Sequence, residues 1–229
     1  MKVAAIFSGG KDSCYAIYKA KNLGHTIEVL ITVIPKSDES HLLHSHNILK
    51  TKLQSESMNI PHIVGHSSST NTDDEVLVLH NLIDKAKTDF KIDGIVHGGI
   101  LSEFQKSKFK SICNDLGLEL ISPLWHKNPS SYMKKLLDDN FKFIICSVTA
   151  DGLDQKWLGK EITYDDLTVL DDLSKKFHFN LNFEGGEAET FVINCPMFKN
   201  PLEIIEYKKI WDGYRGRFEI VEVRLVNNA

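Results

Sequence analysis

Ser8-Gly9-Gly10-Lys11-Asp12-Ser13 follows the apolar run Val3–Phe7 and opens a helix-like stretch, Asp12–Leu23, with Cys14, Ile17 and Tyr18 on one face. The chemistry these residues suit is the binding of an anion. Gly9 and Gly10 let backbone N–H groups approach phosphate oxygens with no Cβ in the way. A helix start adds unpaired N–H groups and the positive end of the helix dipole. Lys11 offers a point charge, expected to face the phosphate, and Ser8 and Ser13 offer hydroxyls. Asp12 supplies a carboxylate for the magnesium ion that usually accompanies a triphosphate. The spacing is neither G-x-x-x-x-G-K-[ST] nor G-x-G-x-x-G. A plain strand-to-helix turn capped by Ser8 or Asp12 would explain a glycine pair, but not the whole hexapeptide in this place.

A second constellation is Glu184-Gly185-Gly186-Glu187-Ala188-Glu189-Thr190, which sets three carboxylates around a glycine pair ahead of Phe191–Ile193. If Glu187 and Glu189 lie on the emerging strand, they share a face. Like charges so close are costly unless a cation or a charged substrate lies between them. The residues alone leave two readings level: a ligand-gripping turn, or a solvated acidic hairpin at an exposed edge.

These groups need elements to hold them. Ile27–Ile34, His62–Val64, Gly94–His97 and Leu120–Ile121 read as strands after Val3–Phe7. Between them, Ile48–Met58, a helix capped by Thr72, and Ser102–Leu116 read as helices. In the Thr72 helix, Asp73, Asp74 and Glu75 suit the dipole, and Val76, Leu79, Leu82, Ile83 and Ala86 form its apolar stripe. Strands alternating with helices imply an α/β fold with a parallel sheet covered on both faces. The pattern changes near Pro123. A helix at Ser131–Asp139, a strand at Phe143–Val148, an ordered loop at Asp151–Lys160 and a helix at Tyr164–Phe177 come next. Thr190–Asn194, Leu202–Trp211 and Arg217–Val226 then read as strands. The expected organisation is a nucleotide-binding domain over residues 1–122 and a smaller mixed α/β domain over 123–229.

Apolar residues at 42%, charged residues at 25% and a net charge of −4 describe an ordinary globular chain with no general attraction to nucleic acid. Cys14, Cys113, Cys146 and Cys195 lie far apart with no C-x-x-C, which speaks against a zinc ribbon or a dithiol centre. Met1-Lys2 leads straight into Val3–Phe7 and no apolar run nears the length of a membrane span, so a cytoplasmic protein with reduced thiols is expected. His41, His44 and His46 cluster after the second strand, but their spacing matches no standard ligand pattern. Cys14, beside the phosphate loop, is expected to be a small core residue, and Trp125, Trp157 and Trp211 to pack between domains.

The hexapeptide after the first strand resembles the loop of the ATP pyrophosphatases, the adenine nucleotide α-hydrolase superfamily, and the resemblance covers about the first 120 residues. Glu184–Glu187 followed by Glu189-Thr190 resembles the hallmark of the diphthine–ammonia ligase family within it. Val96–Ile100 with Ser102 and Gln105, Leu116–Leu118, Pro123–Trp125, Asp151–Leu153 and Trp157–Lys160 extend the match along nearly the whole chain. Ala188 stands where the family often has an aromatic residue. The resemblance implies a HUP-type, Rossmann-like domain that binds ATP and Mg2+, with His44, Gly98 and Gly99 beside the nucleotide. It implies cleavage to AMP and pyrophosphate, with Lys11 and the loop stabilising the departing group. A carboxylate of diphthine, on translation elongation factor two, would pass through an acyl-adenylate and be amidated by ammonium. Glu184, Gly185, Gly186, Glu187, Glu189 and Thr190 would then form an acceptor site apart from ATP, with Glu187 or Glu189 acting on the substrate cation or a proton. A homodimer stays open, and no membrane partner is implied. The competing functions are another pyrophosphatase-type reaction, such as tRNA modification, and a non-enzymatic ATP-binding module.

Overall fold

The computed structural model describes residues 1–36 and 47–226, so His41, His44 and His46 lie outside the described residues. The first half contains β1 (Lys2–Ile6), α1 (Lys11–Asn22), β2 (Thr26–Ile34), α2 (Thr51–Met58), β3 (His62–His66), α3 (Thr72–Phe90), β4 (Gly94–Val96), α4 (Glu103–Leu116) and β5 (Glu119–Ile121). Its strands form one parallel five-stranded sheet in the order β3-β2-β1-β4-β5. Val3, Ala4 and Ala5 of β1 are fully buried, as a central strand covered on both faces requires. From β1 the chain winds outward through β2 to β3, then crosses α3 to β4 on the other side of β1. This reversal opens a crevice at the carboxyl ends of β1 and β4, where open α/β sheets take their ligands.

The second half contains α5 (Pro129–Asp138), β6 (Lys142–Val148), α6 (Tyr164–Phe177), β7 (Ala188–Asn194), β8 (Leu202–Trp211) and β9 (Gly216–Leu225). Its strands pair in the order β7-β6-β9-β8, and every pairing is antiparallel. Asn128 caps α5 by accepting from the Ser131 N–H at 3.1 Å. Thr163 and Asp166 cap α6 reciprocally, which is why that helix starts where the sequence places it.

Local differences from the sequence reading have local causes. Asn71, not Thr72, caps α3, its Oδ1 accepting from the Asp73 N–H at 3.0 Å, and Thr72 becomes the first helical residue. The stretch read as a helix from Ile48 opens with a 3₁₀ turn, Ile48–Lys50, before α2. Along α1, Tyr15 joins Cys14 and Ile17 in the core, while Tyr18 is half-buried.

The two faces of the parallel sheet are covered differently. One packs against α3 and α4 through Val29, Ile31, Leu79, Ile83, Phe109 and Ile112. The other packs α1 together with the second half, so that Tyr15 and Ile17 share one core with Phe141, Phe143, Ile145 and Phe191. The chain passes from one sheet to the other between Ile121 and Pro129.

Candidate functional site

The loop Ser8–Ser13 sits at the carboxyl end of β1, and its polar groups are tied from several sides. The Ser13 hydroxyl accepts from the Ser8 N–H at 3.3 Å and donates to the Gly10 carbonyl at 3.1 Å, drawing the loop's ends together. Gly9 takes a left-handed φ of 76°, and any Cβ there would run into the side chains of Gln54 and Thr51. The Gly9 carbonyl accepts from the Val192 N–H at 3.0 Å and from Gln54 Nε2 at 2.9 Å. Gln54 Nε2 also donates to the Val192 carbonyl at 2.7 Å. The Lys11 N–H donates to Thr190 Oγ1 at 3.1 Å. The loop is therefore docked on β7 and α2, not free in solvent.

Lys11 is only 2% exposed. Its Nζ donates to the Asn182 carbonyl at 2.6 Å and to both oxygens of Asp12, at 2.8 and 3.0 Å. It also stands 5.5 Å from the centre of the Phe183 ring. The ammonium expected to face phosphate is thus held by a carboxylate and a carbonyl, because a buried charge must be paired and hydrogen-bonded. Asp12 in turn accepts from the hydroxyl of buried Tyr132 at 2.5 Å. Burial, and then the Asp12 charge, push the Tyr132 hydroxyl well above the ordinary phenol range.

The turn after β4 closes on the same loop. A Cβ on Gly98 would lie 2.7 Å from the Asp12 carbonyl carbon and 2.8 Å from the Ser13 nitrogen, so the two backbones touch. His97 Nδ1 accepts from the Gly99 N–H at 3.1 Å, which leaves the ring proton on Nε2, 2.6 Å from Ser122 Oγ. Burial, with a smaller contribution from Lys106, pushes His97 down to about 4, so the ring is neutral near neutral pH.

The acidic motif divides. Glu184 Oε1 accepts from the N–H groups of Ile100, Leu101 and Ser102 at 2.9, 3.0 and 3.3 Å, tying the turn that leads into α4. Glu187 lies just before β7, and its carboxylate accepts from the Asn180 and Gly185 N–H groups at 2.9 and 2.8 Å. Gly186, at a φ of 82°, makes the reversal, and its carbonyl accepts from the Thr149 hydroxyl at 2.6 Å. Glu189 and Thr190 follow on β7, with Glu189 opposite Ser147 of β6.

One cavity collects most of these groups. Ser8, Gly10, Lys11, Asp12 and Ser13 line it together with Gly98, Gly99, Glu184, Glu189 and Thr190. Ala188 lines it too. Gly9, Gly185, Gly186 and Glu187 do not line it; they shape the backbone around it. Residues of both motifs thus line one cavity. His97, Gln105, Phe109 and Phe183 also line it, with apolar Ile6, Phe7, Val33 and Ile48. Gln54, Tyr132 and Asn182, which bind the loop from outside the cavity, carried no sequence signal, since each is a lone polar residue far along the chain from it. His97 stood in plain view beside Gly98 and Gly99.

Cys14, Cys113, Cys146 and Cys195 are all buried and free. Trp157 is buried, whereas Trp125 stacks on His126 and carries the Lys106 ammonium 3.6 Å from a ring centre. Among the described residues, no group of three or more His, Cys, Asp or Glu side chains is placed to hold a metal ion, and no helix is long and apolar enough to cross a membrane.

Two family models match the chain: the diphthamide synthase N-terminal domain over residues 1–120 and the diphthamide synthase C-terminal domain over residues 128–226. The diphthine–ammonia ligase of Mus musculus is 35% identical over 222 residues, covering 89% of this chain and 83% of the mouse protein. The diphthine–ammonia ligase of Schizosaccharomyces pombe is 31% identical over 229 residues, covering 90% of this chain but 37% of the yeast protein. A solved chain from Methanocaldococcus jannaschii, described as a predicted subunit of tRNA methyltransferase, aligns with a TM-score of 0.44 at 16% identity, over 86% of this chain and 98% of that one.

Proposed function

Because the chain belongs to the diphthine–ammonia ligase family, we propose that its cavity binds ATP against Ser8–Ser13 and amidates the carboxylate of diphthine on elongation factor two. The enzyme is an ATP-dependent ligase that forms a carbon–nitrogen bond. The observation that supports the site is the meeting of the phosphate loop with Glu184, Glu189 and Thr190 around one cavity at the carboxyl ends of β1 and β4.

A carboxylate is a poor electrophile. In the proposed route its oxygen attacks the α-phosphorus of ATP, the bond to the β-phosphate oxygen breaks, and pyrophosphate leaves. The acyl-adenylate then loses AMP to attacking ammonia, which sheds a proton and leaves the amide. The protein contributes chiefly positioning and charge. The loop N–H groups and the start of α1 take the phosphates, and Lys11 sets a positive charge beside them. Neutral His97 holds the Gly98–Gly99 turn against the loop. Glu189, on the cavity wall, is the carboxylate we assign to the substrate's trimethylammonium group or to ammonium. Glu184 and Glu187 hold the turns on either side.

Mg2+ fits the donor set as a guest of the nucleotide: Asp12 is a cavity carboxylate at the loop, and magnesium is ordinarily held by one or two carboxylates plus phosphates. When bound, it would neutralise charge on the departing pyrophosphate. We place the protein in the cytoplasm, in keeping with its free thiols and an elongation factor as partner.

The test supplies ATP, ammonium and diphthine-bearing elongation factor, reads amide formation by mass spectrometry and separates labelled nucleotides by chromatography. AMP and pyrophosphate appearing in step with the amide support the reading. ADP as the main product, or ATP binding with no turnover, overturns it.

A further inference from the structure

A loop containing Gly9 and Gly10 is entropically expensive to hold in one shape. Within the hexapeptide the side-chain restraints are the bonds of Ser13 and the Lys11–Asp12 pair. We propose that Thr190 and Tyr132, both from the second half of the chain, are positioning residues that hold the phosphate loop ready for nucleotide; this rests on reading Ser8–Ser13 as the nucleotide loop.

Thr190 Oγ1 takes the Lys11 N–H at 3.1 Å, across a gap of 179 residues in sequence, and so fixes the first turn of α1. Gly10 lies against the same residue: a Cβ there would stand 3.2 Å from the Thr190 carbonyl oxygen. Tyr132 reaches Asp12 from α5, 120 residues away, at 2.5 Å. The Tyr132 ring is 3% exposed and packs edge-on against Tyr15 at 5.7 Å, so its hydroxyl has little freedom to move off. One side chain therefore pins the loop's backbone and the other its carboxylate. Holding a binding loop in its bound shape raises affinity by removing the cost of ordering it. Thr190 thus acts on the nucleotide side of the cavity, although its motif led to the expectation of an acceptor role.

The experiment uses the full chain and measures ATP affinity by calorimetry, with KM for ATP and kcat from the amidation assay. Thr190→Val and Tyr132→Phe each remove one oxygen-mediated bond while keeping shape. Each is expected to weaken ATP binding about tenfold, equivalent to ~1.4 kcal/mol. KM for ATP should rise in step, with kcat at saturating ATP within about twofold of wild type. Thr190→Ser, which keeps the acceptor, should bind ATP as wild type does. Thermal melts identify folded variants; if Thr190→Val does not fold, Tyr132→Phe decides. Wild-type ATP affinity in the folded variants overturns the inference, and Thr190→Val that binds ATP normally yet fails to amidate places Thr190 at the acceptor instead. A wild-type protein that binds no ATP removes the phosphate-loop reading and this inference with it.

Discussion

Replacing Glu184 with alanine should loosen the turn that leads into α4. One oxygen of this carboxylate serves three backbone donors, at 2.9, 3.0 and 3.3 Å. Ile100 is fully buried, so its N–H would be left without water or acceptor, whereas Leu101 is 43% exposed and can turn to solvent. Bonds to a charged acceptor are worth about 1.5–3 kcal/mol each when buried, and the exposed ones far less. The expected loss is therefore about 2–3 kcal/mol, dominated by the Ile100 bond. For a chain of this length that lowers Tm by roughly 5–10 °C. Glu184→Gln keeps an oxygen acceptor without the charge and should lose about half as much. Differential scanning calorimetry of the three proteins, with amidation rates, checks the ordering. An alanine variant that melts with the wild type refutes the tie. A glutamine variant that recovers stability but stays as inactive as alanine shows that the charge itself acts on substrate.

Lys11→Ala should abolish ATP turnover and also cost about 1–3 kcal/mol of stability, because Asn182 and Asp12 lose a shared donor; turnover at the wild-type rate in a folded variant refutes the first part, and an unchanged melt the second. Gly98→Ala forces a Cβ to 2.7 Å from the Asp12 backbone, so the loop must shift and ATP affinity should fall about tenfold; calorimetry showing normal affinity refutes the close contact. His97 is held down at about 4 against an ordinary 6.5, so the unfolded chain takes up a proton that the folded chain refuses. Its contribution is complete above pH 6.5 and is lost as pH falls toward 4, at most about 3 kcal/mol in all. Urea unfolding across that range should be steeper in pH for the wild type than for His97→Gln; equal slopes refute the assignment.

The elements were legible because their signals are local. Helix α6 spans Tyr164–Phe177 as read, since Thr163 and Asp166 complete each other's caps within one turn. Asn71 and Thr72 are both competent caps, and only the Asn71 oxygen meets a free N–H. The phosphate loop was legible because its groups are consecutive. Glu187 and Glu189 look alike in sequence; which one faces the cavity depends on the turn before β7, whose N–H groups claim Glu187. Tyr132 and Gln54 are single polar residues on amphipathic helices. Their inward aim follows from packing between halves of the chain, which no spacing rule reports. The direction of Lys11 was likewise set by Asn182, a distant residue.

Tyr15 and Ile17 share their core with Phe143 and Phe191, and this bears on how the enzyme opens. A hinge needs a wet or polar seam along which two bodies can swing. Here a swing would pull aromatic and aliphatic side chains of both halves into water together, at about 25 cal/mol for each Å² uncovered. An opening confined to the rim, where Glu184 ties its own turn to the turn leading into α4, would uncover far less apolar surface than a parting of the two halves.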